Sequence, residues 1–99
     1  MSQKHIGAKV IIRGDRSGVF FGTLTEQDGR EVELKDARRL WYWDGANSIS
    51  DIAIKGVKKP KNCRFTSPVG KISILDAVEI IPCTGDAIKN INEVAVWTY

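Results

Sequence analysis

Histidine is nearly missing from this chain: His5 is the only one in 99 residues, beside two cysteines, one methionine and three prolines. A lone imidazole near the start, with no Ser or Cys pattern to mark a partner, leaves a nucleophilic triad without its base. Together with Cys63 and Cys83, which are far apart and in no C-x-x-C pair, it also falls short of the roughly four N or S ligands of a zinc site. Neither G-x-x-x-x-G-K-[ST] nor G-x-G-x-x-G occurs, so phosphate and dinucleotide enzymology have no anchor. No apolar run approaches the roughly 20 residues that cross a bilayer. Met1-Ser2-Gln3-Lys4-His5-Ile6-Gly7 lacks the apolar stretch of a secretory signal, which sets the expectation of a cytoplasmic protein with reduced thiols. The expectation is a protein that is not an enzyme and needs no metal or cofactor.

What is present fits one domain spanning residues 1–99, with residues 1–7 expected as a loose N-terminus. Hydrophobic residues make up 42% and charged residues 27%, ordinary for a globular chain. The formal charge of +3 is uneven. Between Asp51 and Asp76 no acidic residue occurs, while Lys55, Lys58, Lys59, Lys61, Arg64 and Lys71 supply six positive charges; the rest of the chain therefore carries −3. A local cationic patch of this kind suits a defined anionic partner, and it also suits a solvated lysine-rich loop.

Strand signals dominate the first half. Val10-Ile11-Ile12 is a short apolar run, Val19 to Thr25 is β-branched and aromatic, and Val32 and Leu34 alternate with Glu31, Glu33 and Lys35. Asp28-Gly29 between the last two predicts a hairpin, and Gly22 inside a strand predicts a bulge or a close backbone approach. Ser48 with Asp51 begins a two-turn helix that Gly56 ends, and Thr84 begins a second one. Arg64-Phe65-Thr66, 71–75 and 77–81 read as further strands, and Val94 to Trp97 as a final one. The predicted fold class is α+β: a small, strongly bent antiparallel sheet, SH3-like or barrel-like, with two short helices.

The dense feature is Ala37-Arg38-Arg39-Leu40-Trp41-Tyr42-Trp43. Strand alternation places Arg39, Trp41 and Trp43 on one face and Arg38, Leu40 and Tyr42 on the other. Guanidinium forks suit phosphate oxygens and indole faces suit bases, where stacking is worth about 1–3 kcal/mol per base. The same aromatics would equally serve a small core with arginine stems laid over it. The loop from Lys55 to Arg64 follows the first helix and is placed to close over such a ligand. Trp97-Thr98-Tyr99 could pack under the sheet or against another copy.

Through Phe21-Gly22-Thr23-Leu24, residues 29–34, Ala37-Arg38-Arg39-Leu40-Trp41-Tyr42-Trp43-Asp44-Gly45-Ala46 and residues 76–84, the chain resembles a widespread family of short bacteriophage and prophage proteins of unknown function. That resemblance implies a viral origin and action inside an infected bacterial host. By analogy with phage sponges, the expected role is sequestration of a nucleotide-derived defence signal, of cyclic-nucleotide or ADP-ribose type. Arg38, Arg39, Trp41 and Trp43 are expected to stack and pair, and Lys58, Lys59 and Arg64 to close the site. The expected partners are a small anionic nucleotide and further copies of the chain, with no membrane. The alternatives are an SH3-like module tracking a nucleic-acid backbone and a protein that inhibits a host enzyme through exposed aromatics.

Overall fold

Val10, Ile11 and Ile12 are all buried, so the strand that carries them has protein on both faces. In the computed structural model, which describes residues 5–98, that strand is β1 (Lys9–Gly14). It is followed by β2 (Val19–Asp28) and β3 (Glu31–Tyr42), helix α1 (Ile49–Lys55), a single 3-10 turn over Pro60–Asn62, β4 (Arg64–Phe65), β5 (Val69–Ile74), β6 (Ala77–Pro82) and helix α2 (Gly85–Glu93).

The sheet is antiparallel, with the order β4-β3-β2-β1-β6, and β5 also pairs with β3. Strand β3 is the hub: β2 runs along one edge, β5 takes Val32 to Ala37 on the other, and β4 takes Leu40 and Tyr42. The sheet bends without closing. One core cluster comprises Val10, Ile12, Phe20, Leu24, Val32, Leu34, Ala37, Ile74 and Ala77. The second cluster, the outer core, joins Ile11, Phe21, Leu40 and Phe65 of the sheet to Ile52 and Ala53 of α1 and Ile91 of α2. Full burial of each large apolar side chain contributes about 1.5–3 kcal/mol, which stabilises two helices too short to persist alone. This is the α+β, barrel-like architecture expected from the strand pattern.

Local signals operate as expected. Ser48 accepts from the Asp51 amide and Gly56, at φ 75°, ends α1. Thr84 accepts from Ala87 N and donates to the Ile54 carbonyl at the end of α1, so one hydroxyl starts α2 and ties the helices together. Opposite Gly22 the ladder slips between Phe21 and Thr23, and a Cβ there would lie 3.1 Å from the Ala37 Cα and the Lys35 carbonyl. The strands approach too closely for a side chain.

Two expectations change. Val94 to Trp97 form no full strand; Val96 makes one parallel bridge with Phe65, because α2 delivers the chain to the end of β4, a strand of only two residues. Of residues 1–7, the first four lie outside the described residues, while 5–7 form a turn whose Gly7 amide donates to the Leu24 carbonyl at 2.7 Å.

Candidate functional site

Past Leu40 the alternation of β3 fails, and this failure builds the site. The ladder with β4 slips between Leu40 and Tyr42. Trp41 and Tyr42 consequently both face solvent, 57% and 51% exposed. Leu40 pairs with Phe65 and stays in the core, whereas Tyr42 pairs with Arg64 at the surface.

Trp41 meets Trp97 from the far end of the chain: the rings stack with centroids 5.1 Å apart and planes 16° from parallel. The Arg64 guanidinium lies 5.4 Å from the Trp41 ring, 5.3 Å from Trp97 and 5.9 Å from Tyr42. The result is an exposed platform of three aromatic rings served by one cation, arranged for cation–π attraction. The indoles are already in contact, so a base would stack on the outside of the pair or on Tyr42.

A cleft lies a short way along the chain from the platform. Two residues beyond the Tyr42–Arg64 pair, Asn62 donates to the Asp44 carboxylate at 3.0 Å. Asp44 is a wall of a cleft of about 450 Å³ that is also lined by Asn47, Asp51, Lys55, Lys58 and Lys59. Its floor is a backbone-to-backbone contact. Gly45, at φ 89°, accepts from the Lys58 amide, and a Cβ on it would stand 2.7 Å from the Lys59 nitrogen. Three ammonium groups and two carboxylates line this space, so it offers cations to phosphate and acceptors to hydroxyls or amines.

The expected site residues separate into groups. Trp41 and Arg64 come together on the platform, and Lys58 and Lys59 line the adjoining cleft. Arg38 does not reach solvent, which corrects its expected ligand-gripping place. It is 4% exposed, pairs with Phe21, and spends its fork on carbonyls: Nε on Thr66, Nη1 on Ile91 and Val94, and Nη2 on Phe65 and Ala95. Burial pulls its pKa below the usual value, and an arginine so supplied with acceptors still keeps its charge. Arg39 sits at another place, over the Phe20 ring at 4.5 Å with Nη1 on the Ser17 carbonyl at 2.6 Å. Trp43 is half-buried against the outer core, not beside Trp41, because β3 has ended at Tyr42.

Trp97 is the member that reading the chain did not assign to the site. It stands 56 positions from Trp41, and no local pattern links them. Packing places it against this chain's own strand, while Tyr99 lies outside the described residues. Neither thiol belongs to the platform. Burial pushes Cys63 up, aided by the nearby Asp44 charge although a backbone hydrogen bond opposes it, and pushes Cys83 up to about 11. Among the described residues no helix is long and apolar enough to cross a membrane, and no group of His, Cys, Asp or Glu is placed to hold a metal.

A family model described as "Domain of unknown function (DUF6948)" matches residues 7–91. The fold is similar to that of a heptameric archaeal Sm protein, at 20% identity over 83% of this chain and 94% of that one, with a TM-score of 0.50. It is also similar to the P. aerophilum SmAP1 heptamer, at 21% identity over 84% and 88%, with a TM-score of 0.51. At these identities the likeness is one of fold. No curated protein matches the sequence.

Proposed function

We propose that this chain, which belongs to the domain of unknown function DUF6948 family, is a non-catalytic binding protein that holds a nucleotide-derived ligand. The base stacks on the Trp41–Tyr42 platform and the phosphates reach Arg64 and the Lys58–Lys59 cleft. One observation carries this reading: two large aromatic rings are left more than half exposed beside a guanidinium, Tyr42 being two residues along the chain from Asp44 in the wall of a lysine-lined cleft. Exposed flat rings are costly in water, and stacking with a base offsets that cost by about 1–3 kcal/mol. Binding without turnover would sequester the ligand, the use that the phage resemblance suggests.

The test is equilibrium dialysis against ATP, ADP-ribose and cyclic di-AMP, followed by mass spectrometry of what heat releases from the protein. At least one of the three is expected to be retained, with at least tenfold weaker retention by Trp41→Ala. Retention of none, or equal retention by Trp41→Ala, overturns the reading.

Trp41 and Tyr42 are neighbours in sequence and both exposed, which also favours two consecutive bases of a single strand. Salt distinguishes the two readings. Binding of oligo(dT) would weaken between 50 and 200 mM salt with a log–log slope approaching one unit per phosphate contacted, whereas one small ligand would depend on salt much less. Copies of the chain are expected to associate. Among the described residues β5 pairs only with β3 and β6 only with β1, so each leaves an unpaired edge, with Val69 and Val78 exposed on them. Light scattering is expected to return a multiple of 11.0 kDa.

A further inference from the structure

Arg38 is the least expected residue of the fold: a guanidinium sealed in the outer core with carbonyl oxygens as its hydrogen-bond acceptors. Two of those oxygens, of Ile91 and Val94, are at 2.8 and 2.9 Å and belong to the C-terminal end of α2, where the backbone dipoles point their negative ends. Thr66 and Phe65 supply others from β4 and its exit, and Ala95 one from the segment leaving the helix. One rigid fork thus joins β3, β4 and the start of the C-terminal segment. Two residues beyond Ala95, the Trp97 amide donates to the Phe65 carbonyl at 3.0 Å, and its indole comes to rest on Trp41.

We infer that Arg38 is a positioning residue for the platform: its buried fork fixes the exit of the C-terminal segment so that Trp97 stacks on Trp41. The inference rests on the nucleotide-binding reading for its functional meaning, and on the geometry alone for the placement of Trp97. Trp41 and Arg38 lie three residues apart on β3, an odd separation that alternation puts on opposite faces, so the same strand carries the anchor inside and the platform outside. A lysine at position 38 would keep the charge but reach fewer of the carbonyls, since an ammonium is a point donor and not a planar fork. Trp97 then loses its fixed approach, and Trp41 is left as a single mobile ring.

The test compares wild type, Arg38→Lys, Trp97→Ala and the double variant. The first readout is the circular-dichroism exciton couplet of the stacked indoles. The second is affinity for whichever of ATP, ADP-ribose or cyclic di-AMP the wild type retains. Trp97→Ala is expected to abolish the couplet and weaken the ligand about five- to tenfold. Arg38→Lys is expected to reduce both, with no further loss of affinity in the double variant. A folded Arg38→Lys protein with an unchanged couplet overturns the inference, as do additive losses in the double variant. Amide exchange in the wild type decides the matter even if Arg38→Lys fails to fold. The Trp97 amide is expected to exchange at the rate of the last-turn amides of α2, and exchange a hundredfold faster would overturn the link. If Trp41→Ala binds as well as wild type, the functional reading fails, while the couplet and exchange still judge the placement.

Discussion

Arg38 on β3 and Arg64 on β4 each lie within 6 Å of an aromatic ring, and they do opposite work. Arg38 is 4% exposed with its donors committed to backbone oxygens. Arg64 is exposed, and its described contacts are with ring faces. The difference teaches that residue type does not set the role of a cation beside aromatics. What sets it is whether backbone acceptors meet the fork: where they do, the arginine is cement, and where rings meet it instead, the charge stays available to a ligand.

The comparison can be broken most severely at Phe65, which follows Arg64 in β4, lies under the Arg38 guanidinium and is wholly buried. Phe65→Ala is expected to cost about 3–5 kcal/mol in urea denaturation and to erase the Trp41–Trp97 stack as well. Arg38→Met comes next. It removes the donors while keeping much of the bulk, leaves several buried carbonyls unpaired, and is expected to cost about 2–4 kcal/mol. Should it prove neutral, the buried fork is not what holds the C-terminal segment.

On the exposed side the stability effects shrink while the binding effects do not. Trp41→Ala is expected to lower stability by about 1 kcal/mol, the worth of an aromatic pair, and Arg64→Ala by less than about 1 kcal/mol. Both should weaken the retained nucleotide by far more than those figures, as read by dialysis. A variant that unfolds the protein would show that the platform is core after all.

The smallest expected effect lies away from both arginines and serves as a control. Asp76 accepts from the Ser17 hydroxyl at 2.6 Å and from the Arg16 and Ser17 amides, and these bonds hold its carboxyl below the usual range. A depressed carboxylate pKa contributes stability that is present above the unfolded value, near about 3.9, and is lost as pH falls through the folded one. Asp76→Asn is therefore expected to lower the melting temperature at pH 7. The gap to wild type should narrow as pH drops below about 4, with nucleotide retention at pH 7 unchanged.

Much of the fold was legible because its signals are local. Period-two alternation at Val32 and Leu34 gave a strand face, Asp28-Gly29 a hairpin, and Ser48 and Thr84 helix starts, each needing only neighbours a few residues away. The site was legible only in part. Trp41 and Arg64 do lie together, whereas Arg38, Arg39 and Trp43 were joined to them as neighbours in one arginine- and tryptophan-rich segment, and the structure sends each to a different place. A bulge reverses every side chain beyond it, and no local residue pattern announced the slip after Leu40.

By itself the amino-acid sequence determined the fold class, the helix caps, the lysine-rich loop and the presence of arginine and tryptophan in one strand, because propensity, capping and charge are properties of adjacent residues. Only the tertiary structure decided which arginine is sealed and which is offered. That choice depends on where the end of α2 and the two-residue β4 place their carbonyls, and on a tryptophan brought from 56 positions away, which are distances no local pattern encodes.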